Sequence, residues 1–174
     1  MGFSIMNVDI ENVIENAIFE DAYMALHAHF SNLTVNNSKF RNNFRGFQSQ
    51  EGTIHLNNNE FYHNNTGIQF RNSTSFLDGN KIFENIGGLN FLYSTVTMHD
   101  NIIKSNKIFG IKLRFSKVDI ANLTVQNSMQ NIYGKNTEIT LDNVISEKAL
   151  LRGFSFENSS IIIRNSIARN NLLD

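Results

Sequence analysis

The sequence predicts an all-β fold: a right-handed, single-stranded parallel β-helix of about eight turns of 21–22 residues, with three parallel sheets. Three observations carry this. A Gly-apolar-x-apolar tetrapeptide returns every 21 or 22 residues, clearest at Gly46-Phe47-Gln48-Ser49, Gly67-Ile68-Gln69-Phe70, Gly88-Leu89-Asn90-Phe91, Gly110-Ile111-Lys112-Leu113 and Gly153-Phe154-Ser155-Phe156. Asparagine makes up 28 of 174 residues and recurs at fixed phases of the same repeat, which a low-complexity tract would not show. Proline is absent, as suits strands whose every N–H enters a ladder. So short a unit cannot bury its own apolar face, and stacking neighbours buries one continuous core.

With the repeat glycine counted as zero, positions one and three are apolar and position two is polar. That alternation is a first strand with one buried face. Ala25-Leu26-His27 and Asn131-Ile132-Tyr133 fill the slots without glycine, and Gly2-Phe3-Ser4-Ile5 is a further copy. Positions eight and ten form a second strand: Leu33/Val35, Ile54/Leu56, Ser75/Leu77, Val96/Met98, Val118/Ile120, Ile139/Leu141 and Ile161/Ile163. Position twelve is Asn37, Asn58, Gly79, Asp100, Asn122, Asn143 or Asn165. A third strand is marked by Phe40, Phe61, Ile82 or Phe83, Ile103, Val125, Ile145 and Ile167. Asn43, Asn64, Asn85, Asn106, Asn127 or Asn170 closes the unit, with Lys148 there once.

Asparagine suits such corners because it tolerates the left-handed backbone. Its amide also donates and accepts, so Asn37, Asn58, Asn122, Asn143 and Asn165 are expected to form a ladder along the stack. Ala17–Ala28 has the loosest spacing and is the best helical stretch, expected as an insertion at a corner. At roughly 4.8 Å per turn the rod is about 38 Å long.

These units resemble the parallel β-helix repeats of the pectate-lyase-like superfamily, over nearly the whole chain. The resemblance is specific for fold and unspecific for activity, since the scaffold carries lyases, hydrolases, epimerases, adhesins and inert spacers. It implies an extracellular or cell-surface place. It also implies where catalysis is to be sought: carboxylates with Lys or Arg on the outer face of one sheet.

Residues 1–174 read as one domain without linker or composition break. A net charge of −1 argues against nucleic acid and acidic membrane surfaces as partners. No apolar stretch approaches the roughly 18 residues of a membrane span. The repeat runs from Gly2 to the last residues without an amphipathic capping helix. An uncapped solenoid exposes a rung of unpaired backbone, so the chain is expected to be a segment of a longer solenoid. The expected partners are neighbouring β-helix turns or copies stacked end to end.

The outward columns show no acidic cluster. The first strands present Ser4, His27, Gln48, Gln69, Asn90, Lys112, Tyr133 and Ser155, then His29, Gln50, Arg71, Leu92, Arg114, Lys135 and Glu157. Only Glu157 is acidic there. The second strands present Thr34, His55, Phe76, Thr97, Asp119, Thr140 and Ile162, with Asp119 alone. Glu60 and Glu84 share a similar phase but have no third partner. Sugar hydrolysis needs paired carboxylates, and calcium needs several oxygen ligands, so no catalytic residue, cofactor or metal is assigned. The five histidines fall at different phases and do not suggest a metal site. Of six Asn-x-Ser/Thr sequons, Asn72 and Asn158 lie in exposed turns and are the expected glycan acceptors if the chain is secreted.

The first functional expectation is therefore a non-catalytic structural or adhesive rod in a surface fibre or coat. The alternative is a carbohydrate-binding or polysaccharide-processing module, using Gln48, Gln69, Arg71, Asn90, Lys112, Arg114 and Tyr133. Amides and guanidinium groups suit sugar hydroxyls and uronate carboxylates.

Overall fold

The protein is described by a computed structural model covering residues 2–173. It is a parallel β-helix. Eight residues at each of three corners, 24 in all, take a left-handed backbone, which counts eight turns. The first corner has Asn7, Phe30, Glu51, Asn72, Tyr93, Phe115, Asn136 and Asn158; the second runs from Asn16 to Asn165, and the third from Asp21 to Asn170.

Sheet 1 stacks the first parts of Phe3–Glu15 and Met24–Asn36, then Arg45–Gln50, Thr66–Arg71, Gly87–Leu92, Phe109–Arg114, Gln130–Lys135 and Arg152–Glu157. Sheet 2 continues those two long strands through Thr53–Asn57, Thr74–Asp78 and Thr95–His99 to the first parts of Lys117–Gln126 and Glu138–Glu147, and ends at Ser160–Arg164. Sheet 3 holds short strands such as Lys39–Arg41, Glu60–Tyr62 and Lys81–Phe83. Every pairing is parallel, and the register follows the repeat: Leu26 lies against Phe47, Phe47 against Ile68, Ile68 against Leu89.

The alternation predicted for each strand fills one core. Phe40, Phe47, Phe61, Phe70, Phe91, Ile68 and Leu89 are fully buried. Phe40 stacks between Phe19 and Phe61 with centroids 4.8 and 4.6 Å away, the rung spacing of the helix. The repeat glycine is explained by closeness between turns. A Cβ on Gly88 would stand 2.3 Å from the Gly110 carbonyl oxygen, and one on Gly46 would stand 2.6 Å from that of Gly67.

Four expectations need correction. Ala17–Ala28 holds no helix. It contains the strand Ile18–Glu20, the left-handed Asp21 and the start of Met24–Asn36, because the stacked turn above supplies ladder partners that outweigh helical propensity. Ile145 and Ile167 are not core residues. They face outward in register with Thr124, while Val144 and Ser146 on either side of Ile145 are buried.

The amide ladder also lies elsewhere. Asn37, Asn58, Asn122, Asn143 and Asn165 are the left-handed corner residues themselves, and their side chains are exposed. Among these five the one mutual bond is Asn143 Nδ2 to Asn122 Oδ1, 2.9 Å. A left-handed residue throws its side chain outward and turns the next one in. The buried ladders therefore sit one residue later, as Ser38, Asn59, Asn80 and Asn101 at the second corner. Asn43, Asn64, Asn85 and Asn106 form the other, at the third corner. Asn127 and Asn170 leave that series as exposed left-handed residues; Asn131 fills the gap from the glycine slot, bonding Val125 O and Ser146 Oγ, each at 3.1 Å.

Candidate functional site

The outer face of sheet 1 gathers every residue named for the glycan reading. Strand register sets Gln48, Gln69, Asn90, Lys112 and Tyr133 directly over one another, and Gln50, Arg71, Leu92, Arg114 and Lys135 in the parallel row. Alternation along each strand turns both rows out, and rung stacking leaves Gln48, Gln69, Asn90, Lys112, Arg114 and Tyr133 half-buried, with Arg71 exposed.

Charge on this face is one-sided. Arg71, Lys112 and Arg114 form no ion pair with any described carboxylate, whereas Lys135 Nζ meets Glu157 Oε1 at 2.6 Å. Lys112 lies over the Phe109 ring, 5.7 Å from its centroid. Burial, with the Arg114 charge second, holds the Lys112 amine below the usual lysine range. An anionic group laid here would relieve both costs.

Several polar atoms on the face lack a partner. Asn90 Oδ1 and Arg114 Nε are buried and unbonded, as are Nε2 of His27 and His29 at the other end of the same rows. At the corners, side-chain polar groups are bonded turn to turn, as where Ser94 N–H donates to Ser116 Oγ at 3.2 Å; Ser75 Oγ and Ser128 Oγ are unbonded as well. Two of the five histidines do meet, His27 and His29, with ring centroids 5.8 Å apart. Burial first, then His29 and Arg45, pushes the His27 imidazole below its ordinary value. Among the described residues, no three His, Cys, Asp or Glu side chains are grouped to hold a metal ion. The face can hold hydroxyls and carboxylates; it has no carboxylate pair for acid–base work.

Glu60 and Glu84 lie apart. Glu60 sits between Lys39 and Lys81, at 3.4 and 3.5 Å, and Glu84 meets His63 at 2.8 Å. Asn72 and Asn158 are exposed left-handed residues of the first corner. That corner borders a groove of about 640 Å³ between Tyr93, Phe115, Lys117, Glu138 and Asn158, which the repeat analysis passed over. Its signal was present as the residue before each corner Ser or Thr: Phe30, Tyr93 and Phe115 stand where Asn72, Asn136 and Asn158 stand in other turns.

The fold has solved relatives. A mutant of the periplasmic alginate epimerase AlgG superposes with a TM-score of 0.72 at 13% identity, over 91% of this chain and 51% of that one. Pectate lyase Pel9A gives 0.63 at 14% identity, over 84% and 50%. Tailspike protein 2 of an Escherichia coli O157:H7 bacteriophage gives 0.64 at 11%, over 84% and 25%. The chain thus spans between a quarter and about half of the length of these structures, and at such identities the likeness is one of fold. No curated protein is a significant match. The repeat, the three left-handed corners and the all-parallel stack agree with the family model described as right handed beta helix region, which matches residues 2–143, and the chain belongs to that family.

Proposed function

We propose that the outer face of sheet 1 binds an acidic polysaccharide lying along the rod axis across successive turns. The carrying observation is the stacked set Asn90, Lys112 and Arg114: two unpaired cations, one of them with a buried, unbonded Nε, beside the buried, unbonded Oδ1 of Asn90. Arg71 and Gln69, one rung away, extend the set in the direction a linear chain would take. A guanidinium offers a carboxylate two parallel donors, and an amide offers a hydroxyl one donor and one acceptor. The epimerase and the lyase sharing this fold support the reading, as alginate and pectate are polyuronates. One of them is periplasmic, and a place outside the cytoplasm accords with that.

Calorimetric titration with polygalacturonate and alginate oligosaccharides tests it. Each charged hydrogen bond contributes about 1.5–3 kcal/mol, so Lys112→Gln with Arg114→Gln should weaken binding at least about tenfold. Added salt should weaken the parent more than the variant. Absence of binding to either polyuronate, or equal affinity in the variant, refutes the reading.

A second observation favours end-to-end association. The inward column of the last turn, Ile161 and Ile163, is 39% and 48% exposed, where its equivalents in inner turns, such as Ile139 and Leu141, are buried. We infer that a turn of a second copy covers it, as in a fibre or coat. Sedimentation at rising concentration should show association that Ile163→Lys abolishes; a parent that stays monomeric at high concentration rules it out.

A further inference from the structure

We propose that the first-corner groove is a separate subsite for a neutral sugar, whose pyranose ring stacks on the free face of Phe115. The inference goes beyond the acidic-glycan face and does not depend on it. Tyr93 and Phe115 occupy adjacent turns with centroids 5.0 Å apart and rings 18° from parallel, so their planes repeat along the rod axis at the rung spacing. At the next rung the corner residue is Asn136, then Asn158. The ring stack therefore stops at Phe115, and the space one more ring would fill is the groove.

Both aromatic residues hold a costly backbone. Tyr93 has φ 51° and Phe115 φ 50°, a region that bulky side chains rarely occupy. Four of the eight first-corner positions use Asn instead. The rings contribute nothing to the core, since Tyr93 is 54% and Phe115 47% exposed. Strain held at an exposed aromatic pair beside a cavity points to function.

The lining selects the occupant. Asn158 Nδ2 donates to Asn136 Oδ1, which leaves the Asn158 oxygen and an Asn136 N–H free for a ligand's hydroxyls. Lys117 and Glu138, in register on adjacent turns of the groove's lining, pair at 3.8 Å and cancel in charge, so an uncharged ligand is preferred. An aromatic side chain of a protein partner would satisfy the ring but would desolvate the amides and the ion pair without replacing their hydrogen bonds. A sugar satisfies both, with an apolar C–H face on Phe115 and hydroxyls at the rim.

Saturation-transfer NMR with hexasaccharides of β-1,4-linked glucose, mannose and galactose tests this on the whole chain. At least one should give saturation at ring C–H protons. Tyr93→Asn with Phe115→Asn should abolish the signal while the melting temperature holds or rises, because Asn suits the left-handed backbone. Asn136→Phe, which extends the stack into the slot, should also block the sugar. Exchange of the two rings, Tyr93→Phe with Phe115→Tyr, should retain it. Lys112→Gln with Arg114→Gln should leave neutral binding intact, which separates this subsite from the polyuronate face. No signal from any hexasaccharide, or a signal undiminished in the double Asn variant, overturns the proposal. A parent that binds only aromatic peptides at this groove overturns it in favour of a protein partner.

Discussion

Replacing Asn85 by Ala tests the physical basis of the stack. Asn85 is 2% exposed and sits in the middle of the third-corner ladder. Its Oδ1 accepts from Asn64 N–H at 2.9 Å and from Asn64 Nδ2 at 3.0 Å. Its Nδ2 donates to Phe61 O, Phe83 O and Asn106 Oδ1, at 2.9, 3.1 and 3.0 Å. Asn64 Nδ2 keeps Phe40 O, and Asn106 Oδ1 keeps the Asn85 N–H, so those groups retain a partner after substitution. Asn64 N–H loses its partner, whereas Phe61 C=O keeps its ladder bond to the next strand. A buried polar group left unpaired costs about 1–3 kcal/mol and each of the four other lost bonds about 0.5 kcal/mol, which puts the substitution at about 4 kcal/mol. Asn58→Ala is the control. Asn58 is exposed with φ 56°, so Ala there costs only the left-handed penalty of about 1–2 kcal/mol. In urea, with a slope of about 2 kcal/mol per molar, the midpoint should drop by about 2 M for Asn85→Ala and by less than about 1 M for Asn58→Ala. Equal shifts would mean that buried amide bonding does not hold the turns together.

Two further outcomes follow from close contacts and titration. Gly88→Ala drives a Cβ to 2.3 Å from a backbone oxygen of the next turn and should cost about 1–3 kcal/mol. Gly87→Ala meets only the tip of the Phe109 ring, at 2.4 Å, which can swing away into solvent, so thermal melting should separate the two neighbours clearly. His27 has a folded pKa below its ordinary 6.5, so between those two values the unfolded chain binds more protons. Stability should therefore fall as pH drops below about 6.5 and level off once the folded imidazole is charged. Melting temperatures from about pH 8 to pH 5 should show a shallower decline in His27→Gln; identical slopes would exclude His27 as a source of acid sensitivity.

The sequence alone determined the period, the number of turns and the faces and outward columns of the first two strands of each turn, because a stack in which every turn repeats the last turns sequence position directly into spatial register. Phe47 over Ile68, and Asn90 over Lys112, follow from spacing alone. Which asparagine is buried could not. Asn58 and Asn59 are adjacent and chemically identical, and only the left-handed backbone at Asn58 decides that it points to solvent while Asn59 bonds Asn80 inside. Units of 21 and 22 residues add to the ambiguity, since one inserted residue let Asn127 pass for a ladder member while Asn131 took the place from another strand. The candidate face was legible as a list of residues, but the unpaired state of Asn90 Oδ1 and Arg114 Nε was not, because hydrogen bonding depends on the neighbours each turn brings. The Tyr93–Phe115 groove escaped for the same reason: a cavity is the absence of a ring at the next rung, and absence in space has no signature in a single turn.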